Sequence, residues 1–446
     1  MIYVCDAIMG SGKSESAISF MNSHPEKKFI YISPYVLDGQ RIQDGCPDRH
    51  FVLPTNIPDF SCSKTEHCKD LLSRGQNVAC THELFKRYDQ SVLNIIREQH
   101  YTIIIDEEVN ILEECLLHED DLCLLQQSGY VNISDMGQIS VTEKSYQGNV
   151  FRDIFYTLRN RNLESCTNDG ESKFFYWQLP PDLLKAFDDV YILTYLFSGQ
   201  GIKYMLDINR MAYQYIYIRR TFGGGYAFSD TPSYLPSYVS HISDMIDIYD
   251  GNNLNEIGTP KRNECPLSMH WFAKHHETRS DVLKKNLYNY FRWYTDVPAD
   301  ERMWGSFKNT TKRLTPKGLG RSHVVFNIRG SNEYRHKRAL AYCVNIYLSP
   351  QVKNYYSKWG IAPDEDVYAL STMIQWIWRS AIRDGEKIHI YIPSERMRNL
   401  LKNWMAQIET DAVSGRWSQH GRRFENGDGA IVNQGEHTPL TEVLAS

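Results

Sequence analysis

The sequence has no Cys-x-x-Cys pair, although it contains ten cysteines in 446 residues. The densest group is formed by Cys62, His67 and Cys68, and its spacing matches no regular zinc site. We therefore predict no zinc cluster. Cysteines scattered in this way are typical of reduced thiols in an intracellular protein.

Long apolar runs and an excess of positive charge are also lacking. No stretch approaches membrane-spanning length, and the first motif starts too near residue 1 to leave room for a signal peptide. We therefore expect a cytoplasmic protein without a membrane partner. Because the net charge is −5, a nucleic-acid partner would need a local basic groove rather than a uniformly basic surface.

A glycine-punctuated turn between a short apolar strand and a helix is the strongest positive signal. Its residues are Gly10, Ser11, Gly12, Lys13 and Ser14. The glycines let backbone N–H groups face phosphate oxygens, Lys13 reaches the β- and γ-phosphates, and Ser14 can hold Mg²⁺. Ala7 replaces the usual first glycine, which we treat as a variant of the loop. The pattern predicts a nucleoside triphosphate and Mg²⁺ as cofactors.

Adjacent acids close a later apolar strand, at Asp106 and Glu107. After a phosphate-binding loop, this arrangement predicts that Asp106 holds Mg²⁺ and that Glu107 activates the attacking water. A further strand ends at Thr194, whose hydroxyl could couple nucleotide hydrolysis to the binding of the substrate. An ordinary core strand explains this pattern nearly as well.

Apolar β-rich runs alternate with helical patterns across the first half of the chain. The predicted strands lie at residues 2–4, 29–32, 77–80, 101–105 and 190–194, and a helix is predicted over 84–96. This alternation predicts an α/β fold with a parallel sheet between helices and with ligands at the carboxyl ends of its strands. A polar insertion over 112–172, for which we predict helices, interrupts the pattern.

The second half carries its own strands, predicted at 323–326 and 387–392, with a helix over 371–383. A glycine- and proline-rich segment over 216–235 indicates a domain boundary. The predicted units are a first domain (1–215), a second domain (216–405) and a C-terminal tail or small appendage (406–446).

Three polar residues recur at a spacing of four near the end of that predicted helix: Gln375, Arg379 and Arg383. On a helix they would share one face. Such a face could read a γ-phosphate across a cleft, with an arginine stabilising the charge of the transition state. An exposed, salt-bridged helix face is the alternative interpretation.

The order of these motifs resembles superfamily 2 helicases of the DEAD/DEAH-like type, and more narrowly the DNA helicases of phages and prophages of Gram-positive bacteria. Further segments share the resemblance, at 31–35, 75–82, 267–272, 327–334 and 341–345. The resemblance implies two RecA-like parallel-sheet domains with a nucleotide cleft between them. It implies an ATP-dependent helicase or translocase in phage or mobile-element replication, with ATP, Mg²⁺, single-stranded DNA and replication proteins as ligands and partners.

The same resemblance implies contacts to the nucleic-acid strand. Carried over position by position, they are Ser33, Pro34, Tyr35, Thr81, His82, Arg329 and Asn332. One departure concerns the sixth helicase motif, where Trp378 replaces glycine and Ile382 takes the place of the last arginine, with Arg383 following. Arg379 and Arg383 therefore both stay candidates for the arginine that contacts the γ-phosphate.

Basic and aromatic residues are interleaved over 284–294 and again near Trp304, Phe307 and Arg313. This pattern suits stacking and phosphate contacts on a single strand, but it suits a helix packed in a core equally well.

Two other functions stay open. A terminase-like packaging motor would need a metal-dependent nuclease site, for which Asp364, Glu365 and Asp366 are the available acids. A nucleotide-dependent DNA-binding switch or loader would use the same ATPase motifs without unwinding.

Overall fold

The computed structural model describes residues 1–56, 63–115, 117–134, 137–158, 162–168, 172–262, 264–274, 278–328 and 333–414. The strands are β1 (Ile2–Asp6), β2 (Lys28–Ser33), β3 (Val78–Thr81), β4 (Tyr101–Asp106), β5 (Leu112–Cys115), β6 (Val131–Ile133), β7 (Gln138–Val141), β8 (Asn162–Asn168), β9 (Ser172–Gln178), β10 (Asp189–Thr194), β11 (Tyr213–Tyr215), β12 (Tyr217–Arg220), β13 (Tyr226–Ser229), β14 (Ile246–Ile248), β15 (Arg302–Ser306), β16 (His323–Val325), β17 (Ala339–Tyr342) and β18 (Ile388–Tyr391).

The helices complete the element order. They are α1 (Lys13–Ser23), α2 (Val36–Gly45), α3 (Lys64–Ser73), α4 (His82–Phe85), α5 (Gln90–Gln99), α6 (Glu119–Gln127), α7 (Arg152–Leu158), α8 (Asp182–Lys185), α9 (Gly201–Ile208), α10 (Ile242–Met245), α11 (Asn252–Asn255), α12 (Met269–Lys274), α13 (Thr278–Trp293), α14 (Thr311–Leu314), α15 (Pro350–Lys358), α16 (Glu365–Ile377) and α17 (Glu395–Ser414).

A six-stranded parallel sheet organises the first half of the chain, in the order β11-β1-β10-β4-β2-β3. Its central strands are apolar on both faces; Ile103, Ile104 and Ile105 of β4 are all fully buried. Such strands need helices on both sides, and apolar clusters lie on each face of the sheet. The five predicted strands are all present in it.

A second, five-stranded parallel sheet follows, in the order β14-β18-β17-β15-β16. Its core is the largest apolar cluster of the described chain and includes Trp304, Trp376 and Trp404. The α/β fold with two parallel-sheet domains, expected from the sequence, is confirmed.

The insertion contains the predicted helices, α6 and α7, but its main element is a sheet that the sequence analysis did not predict. Five antiparallel strands pair in the order β5-β9-β8-β7-β6. Polar residues alternate with apolar ones along these strands. In short segments this alternation is a weaker signal for a strand than the continuous apolar runs of the parallel sheet.

The segment after β11 remains with the first sheet rather than opening the second domain. Strands β12 and β13 form an antiparallel hairpin, and Ile216 and Ile218 are buried in the apolar cluster of the first domain. The hairpin therefore extends the first domain past the predicted boundary at residue 215.

Two helix predictions need correction. The helix predicted over 84–96 is split into α4 and α5, because Asp89 caps the second helix by accepting the Val92 N–H at 2.9 Å. The helix predicted over 371–383 starts earlier and ends at Ile377. Arg383 lies in a separate 3-10 turn, Ala381–Asp384.

The C-terminal helix α17 continues past the predicted limit of the second domain at residue 405, and Ile408 is buried in the second core. Residues 415–446, most of the predicted tail, lie outside the described residues.

The interleaved basic and aromatic stretch is divided between core and surface. Leu287, Tyr290 and Phe291 of α13 are buried, as are Trp304 and Phe307, whereas the neighbouring Tyr288, Trp293 and Tyr294 are exposed. Much of this pattern is therefore explained by packing.

Among the residues that the structure describes, no helix combines the length and apolar character needed to cross a bilayer.

Candidate functional site

The phosphate-binding loop lies at the carboxyl end of β1, between that strand and α1. Gly10 and Gly12 have φ values of 71° and 90°, a region that side chains with a Cβ rarely adopt. The Ala7 N–H donates to the Thr194 carbonyl at 3.0 Å, and the Asp6 carboxylate accepts the N–H groups of Leu196 and Phe197. The loop is thus bonded to the neighbouring strand end and is held at the edge where the parallel strands finish.

Lys13 points back into this loop. Its ammonium donates to the carbonyl oxygens of Ala7 at 2.5 Å and Ile8 at 3.2 Å. Burial lowers the pKa of Lys13, while Asp106 is among the acids that oppose this effect. The ammonium therefore lies inside the turn that the sequence predicted for phosphate.

Ser14 and Asp106, the two predicted magnesium ligands, meet directly. The Ser14 hydroxyl donates to Asp106 Oδ2 at 2.9 Å, and the Tyr31 hydroxyl of β2 donates to the same oxygen. Burial raises the pKa of Asp106, and the Tyr31 hydrogen bond lowers it, because this bond favours the charged carboxylate. A hydroxyl beside a carboxylate at the end of a phosphate loop is the donor set that Mg²⁺ accepts, with phosphate and water completing its shell.

Glu107 faces the second domain. Its backbone is left-handed (φ 63°), and its N–H donates to the Leu193 carbonyl at 3.0 Å. Arg379 Nη2 donates to Glu107 Oε1 at 2.9 Å and to Oε2 at 3.2 Å. The Arg379 side chain is only 7% exposed, so this ion pair lies largely out of solvent at the contact between the two domains.

The other members of the predicted polar stripe occupy different positions. Gln375 donates to the Ser371 hydroxyl at 3.3 Å within α16. Arg379 follows the last helical residue, and Arg383 is exposed on the 3-10 turn. The three residues therefore do not form one helix face, because the chain leaves the helix at Trp378.

Arg383 lies close enough to influence the site electrostatically. Although much of the Arg383 side chain is exposed, the surrounding protein partly desolvates its guanidinium; this desolvation, followed by the positive charge of Arg379, lowers the pKa of Arg383. On the opposite wall, burial and the nearby Asp106 and Glu107 carboxylates raise the pKa of Asp38 to about 6. Acids of the first domain and arginines of the second thus face each other.

Five of the residues predicted to contact nucleic acid lie at or just after the carboxyl ends of β2 and β3: Ser33, Pro34, Tyr35, Thr81 and His82. Ser33 donates to the Tyr35 carbonyl at 3.1 Å, and Tyr35 is exposed. Thr81 caps α4 through the Leu84 N–H. His82 is buried, and its Nε2 lies 2.9 Å from the Asp106 carbonyl oxygen. His82 therefore links this surface to the end of β4, where the predicted Mg²⁺ ligand Asp106 lies.

Arg329 and Asn332, predicted from the fifth helicase motif, lie outside the described residues.

Asp364, Glu365 and Asp366, the acids of the packaging-motor alternative, all take part in local structure. Asp364 caps α16, Glu365 accepts the Leu348 N–H at 2.9 Å, and Asp366 pairs with Arg396 at 2.6 Å. Within the described ranges, no three His, Cys, Asp or Glu side chains are grouped as a metal site would require.

Sequence reasoning missed two groups at the site. Tyr31 has no motif of its own, and its only signal was its place in the segment 31–35. Tyr226 was also missed: its ring packs so closely on Gly12 that a Cβ there would lie 2.4 Å from ring carbons.

Comparison with known proteins shows the family to which this chain is related. It is 33% identical over 413 residues to the SPbeta prophage-derived uncharacterized protein YonV of Bacillus subtilis (strain 168), covering 91% of this chain and 98% of the relative. The chain belongs to the YonV family. A model of the YonV C-terminal Rossmann-like domain matches residues 240–405, which contain the second parallel sheet.

Two solved structures resemble the whole chain more distantly. One, titled XPD helicase, is 12% identical with a TM-score of 0.47, covering 90% of this chain and 94% of that one. The other, titled S. tokodaii Xpd4, is 9% identical with a TM-score of 0.38 over 90% and 93% of the two chains.

Proposed function

We propose that this YonV-family protein is an ATP-dependent nucleic-acid translocase or helicase that acts on single-stranded DNA. The observation that carries the proposal is the Arg379–Glu107 contact, at 2.9 Å, between the second domain and the acid that follows the metal-site strand. It puts an arginine of one domain beside the group expected to activate water in the other. An ATPase whose turnover is coupled to domain movement needs this arrangement.

The expected chemistry uses residues of both domains. The backbone of Gly10 to Ser14 and the Lys13 ammonium would hold the phosphates, and Ser14 with Asp106 would hold Mg²⁺, which neutralises phosphate charge when bound. Glu107 would accept a proton from the attacking water.

Arg379 would stabilise the charge that develops on the γ-phosphate. Its Nε–H is buried and has no hydrogen-bond acceptor among the described residues, so the guanidinium still has a donor to offer. A γ-phosphate oxygen would supply that acceptor and would compete with Glu107 for the arginine. The bound nucleotide would thereby release Glu107 for catalysis.

The first experiment measures ATP hydrolysis alone and with single-stranded DNA, duplex DNA or RNA. The variant K13A serves as the blank, and E107Q is expected to bind ATP while turnover falls by about 100-fold to 10,000-fold. Lys13-dependent hydrolysis that single-stranded DNA stimulates supports the proposal. Unchanged turnover in E107Q contradicts the assignment of Glu107.

The DNA-binding switch or loader stays the second candidate, because the same site can set a conformation without unwinding. Slow Lys13-dependent hydrolysis that no nucleic acid stimulates would favour it.

A further inference from the structure

The direction of a bound triphosphate follows from two points of the proposed site, and this inference rests on the proposed function. The γ-phosphate end belongs near Glu107 and Arg379, at the carboxyl end of β4. The phosphate loop follows β1, and the sheet order is β11-β1-β10-β4. The sugar and base must therefore leave the loop on the side of β11, at the edge of the sheet.

The β12–β13 hairpin stands at that edge. Strand β11 pairs with β1 in the register Ile2↔Tyr213 and Val4↔Tyr215, and the chain continues directly into β12. Since β1 ends at Asp6, the hairpin extends beyond the carboxyl end of the sheet, alongside the phosphate loop. The packing of Tyr226 on Gly12 holds it there.

An arginine contacts two tyrosine rings in this hairpin region. The guanidinium carbon of Arg220 is 4.9 Å from the centroid of the Tyr226 ring and 5.2 Å from that of Tyr234. Arg220 Nη2 also donates to the Tyr226 hydroxyl at 3.1 Å. The two ring centroids are 5.5 Å apart with an angle of 63° between the ring planes, and Arg220 remains exposed to solvent.

An exposed aromatic side chain, Phe222, lies in the turn between β12 and β13, two residues after Arg220 in the sequence. Phe222 is fully exposed and precedes Gly223, Gly224 and Gly225, around which the turn has few neighbours. Covering an exposed phenylalanine ring with a flat ligand removes apolar area from water and is favourable, and the planar guanidinium of Arg220 can stack on such a ligand too.

We propose that Arg220 and Phe222 form the surface on which the nucleobase of the bound triphosphate stacks. Tyr226 and Tyr234 position the guanidinium, and Gly12 allows Tyr226 to approach the phosphate loop. Stacking uses the face that every base presents. The site therefore prefers purines by their larger area and separates ATP from GTP weakly.

Calorimetric titration of the full chain with ATP, GTP, CTP and inorganic tripolyphosphate in Mg²⁺ tests this. We expect R220A to weaken ATP and GTP binding about tenfold, and F222A to weaken it less, since base stacking contributes at this level. Tripolyphosphate has no base, so its affinity should not change in either variant. R220K, which keeps the charge without the planar face, should resemble R220A.

The matched control is R219A, which removes an exposed arginine from the opposite face of the same strand and should leave all affinities unchanged. Wild-type ATP affinity in both R220A and F222A would overturn the base-stacking proposal, as would an equal loss of tripolyphosphate affinity in R220A. In either case Lys13-dependent ATP binding would leave the proposed function standing. Failure of the wild-type protein to bind both ATP and tripolyphosphate would instead overturn the proposed function.

Discussion

The two parallel sheets contribute to the candidate site in different ways. The first sheet supplies groups that are already bonded to one another, with Ser14 and Tyr31 both donating to Asp106. The second supplies Arg379, which reaches the site only across the domain interface. On the proposed function, we therefore expect nucleotide and metal binding to depend mainly on the first domain and hydrolysis to depend on how the two domains meet.

The interface itself is built largely by the end of β10. Tyr195 and Leu196, which follow that strand, are buried in the core of the second domain together with Ile8 of the phosphate loop. The Trp404 indole N–H donates to the Tyr195 hydroxyl at 2.8 Å. Movement of one domain against the other therefore acts directly on residues that adjoin the phosphate loop.

The largest expected effect comes from removing the contribution of the second domain. The variant R379A should lower kcat by about 1,000-fold, as the loss of an arginine that stabilises phosphoryl transfer does, with the affinity for ATP much less affected. Single-turnover hydrolysis and equilibrium ATP binding measure the two effects separately.

Arg383 provides the comparison, since it is exposed, whereas Arg379 is buried and donates to Glu107. We expect R383A to keep most of the wild-type kcat. A loss in R383A as large as that in R379A would identify both arginines as contacts of the γ-phosphate and would contradict our assignment.

A smaller effect is expected from the first domain. The variant Y31F removes the hydrogen bond that lowers the pKa of Asp106 and orients its carboxylate. We expect the half-saturating Mg²⁺ concentration to rise about tenfold, as for other groups that orient metal ligands. Magnesium titrations of hydrolysis and of ATP binding would measure it. Y35F, which alters an exposed tyrosine nearby, should titrate like the wild type.

The smallest effect concerns stability and its pH dependence. The pKa of Asp38 is raised to about 6 in the folded protein, so the folded state holds its proton more tightly than the unfolded chain does. The contribution of Asp38 to stability should therefore fall as the pH rises from about 4 through 6. D38N should be more stable at pH 7 by about 1 kcal/mol, a value reduced for the partial exposure of this residue.

Urea unfolding of the D38N and wild-type proteins at several pH values measures this difference. The two stabilities should converge as the pH falls below about 4, where Asp38 is protonated in both states. A constant difference between pH 4 and pH 7 would show that the substitution acts through something other than this charge.

The predictions from sequence succeeded best where the signal was local and continuous. The strands of the first sheet were predicted because buried parallel strands are uninterrupted apolar runs, as in β4. The strand β17, Ala339–Tyr342, was missed although it is fully buried. The antiparallel sheet of the insertion was missed because polar and apolar residues alternate along its strands, and this alternation is a weaker signal than an uninterrupted apolar run.

Predictions about the candidate site also differed between local patterns and contacts that are distant in the chain. The phosphate loop and the acids Asp106 and Glu107 could be predicted from the sequence because their expected chemistry depends on residues adjacent in the chain. The regular spacing of Gln375, Arg379 and Arg383 was misleading, because it assumed a helix that ends at Ile377. Arg379 nevertheless contacts Glu107, and it does so from the turn that follows the helix rather than from a helix face.

The sequence by itself determined the phosphate loop, the acidic strand end and the alternation that makes parallel sheets, because each depends on backbone and side-chain preferences within a few residues. Only the tertiary structure decided that Tyr31 bonds to Asp106, that Tyr226 packs on Gly12 and that Arg379 reaches Glu107, 272 residues away. Such contacts depend on how two sheets and a hairpin pack in three dimensions, and no local pattern along the chain encodes that packing.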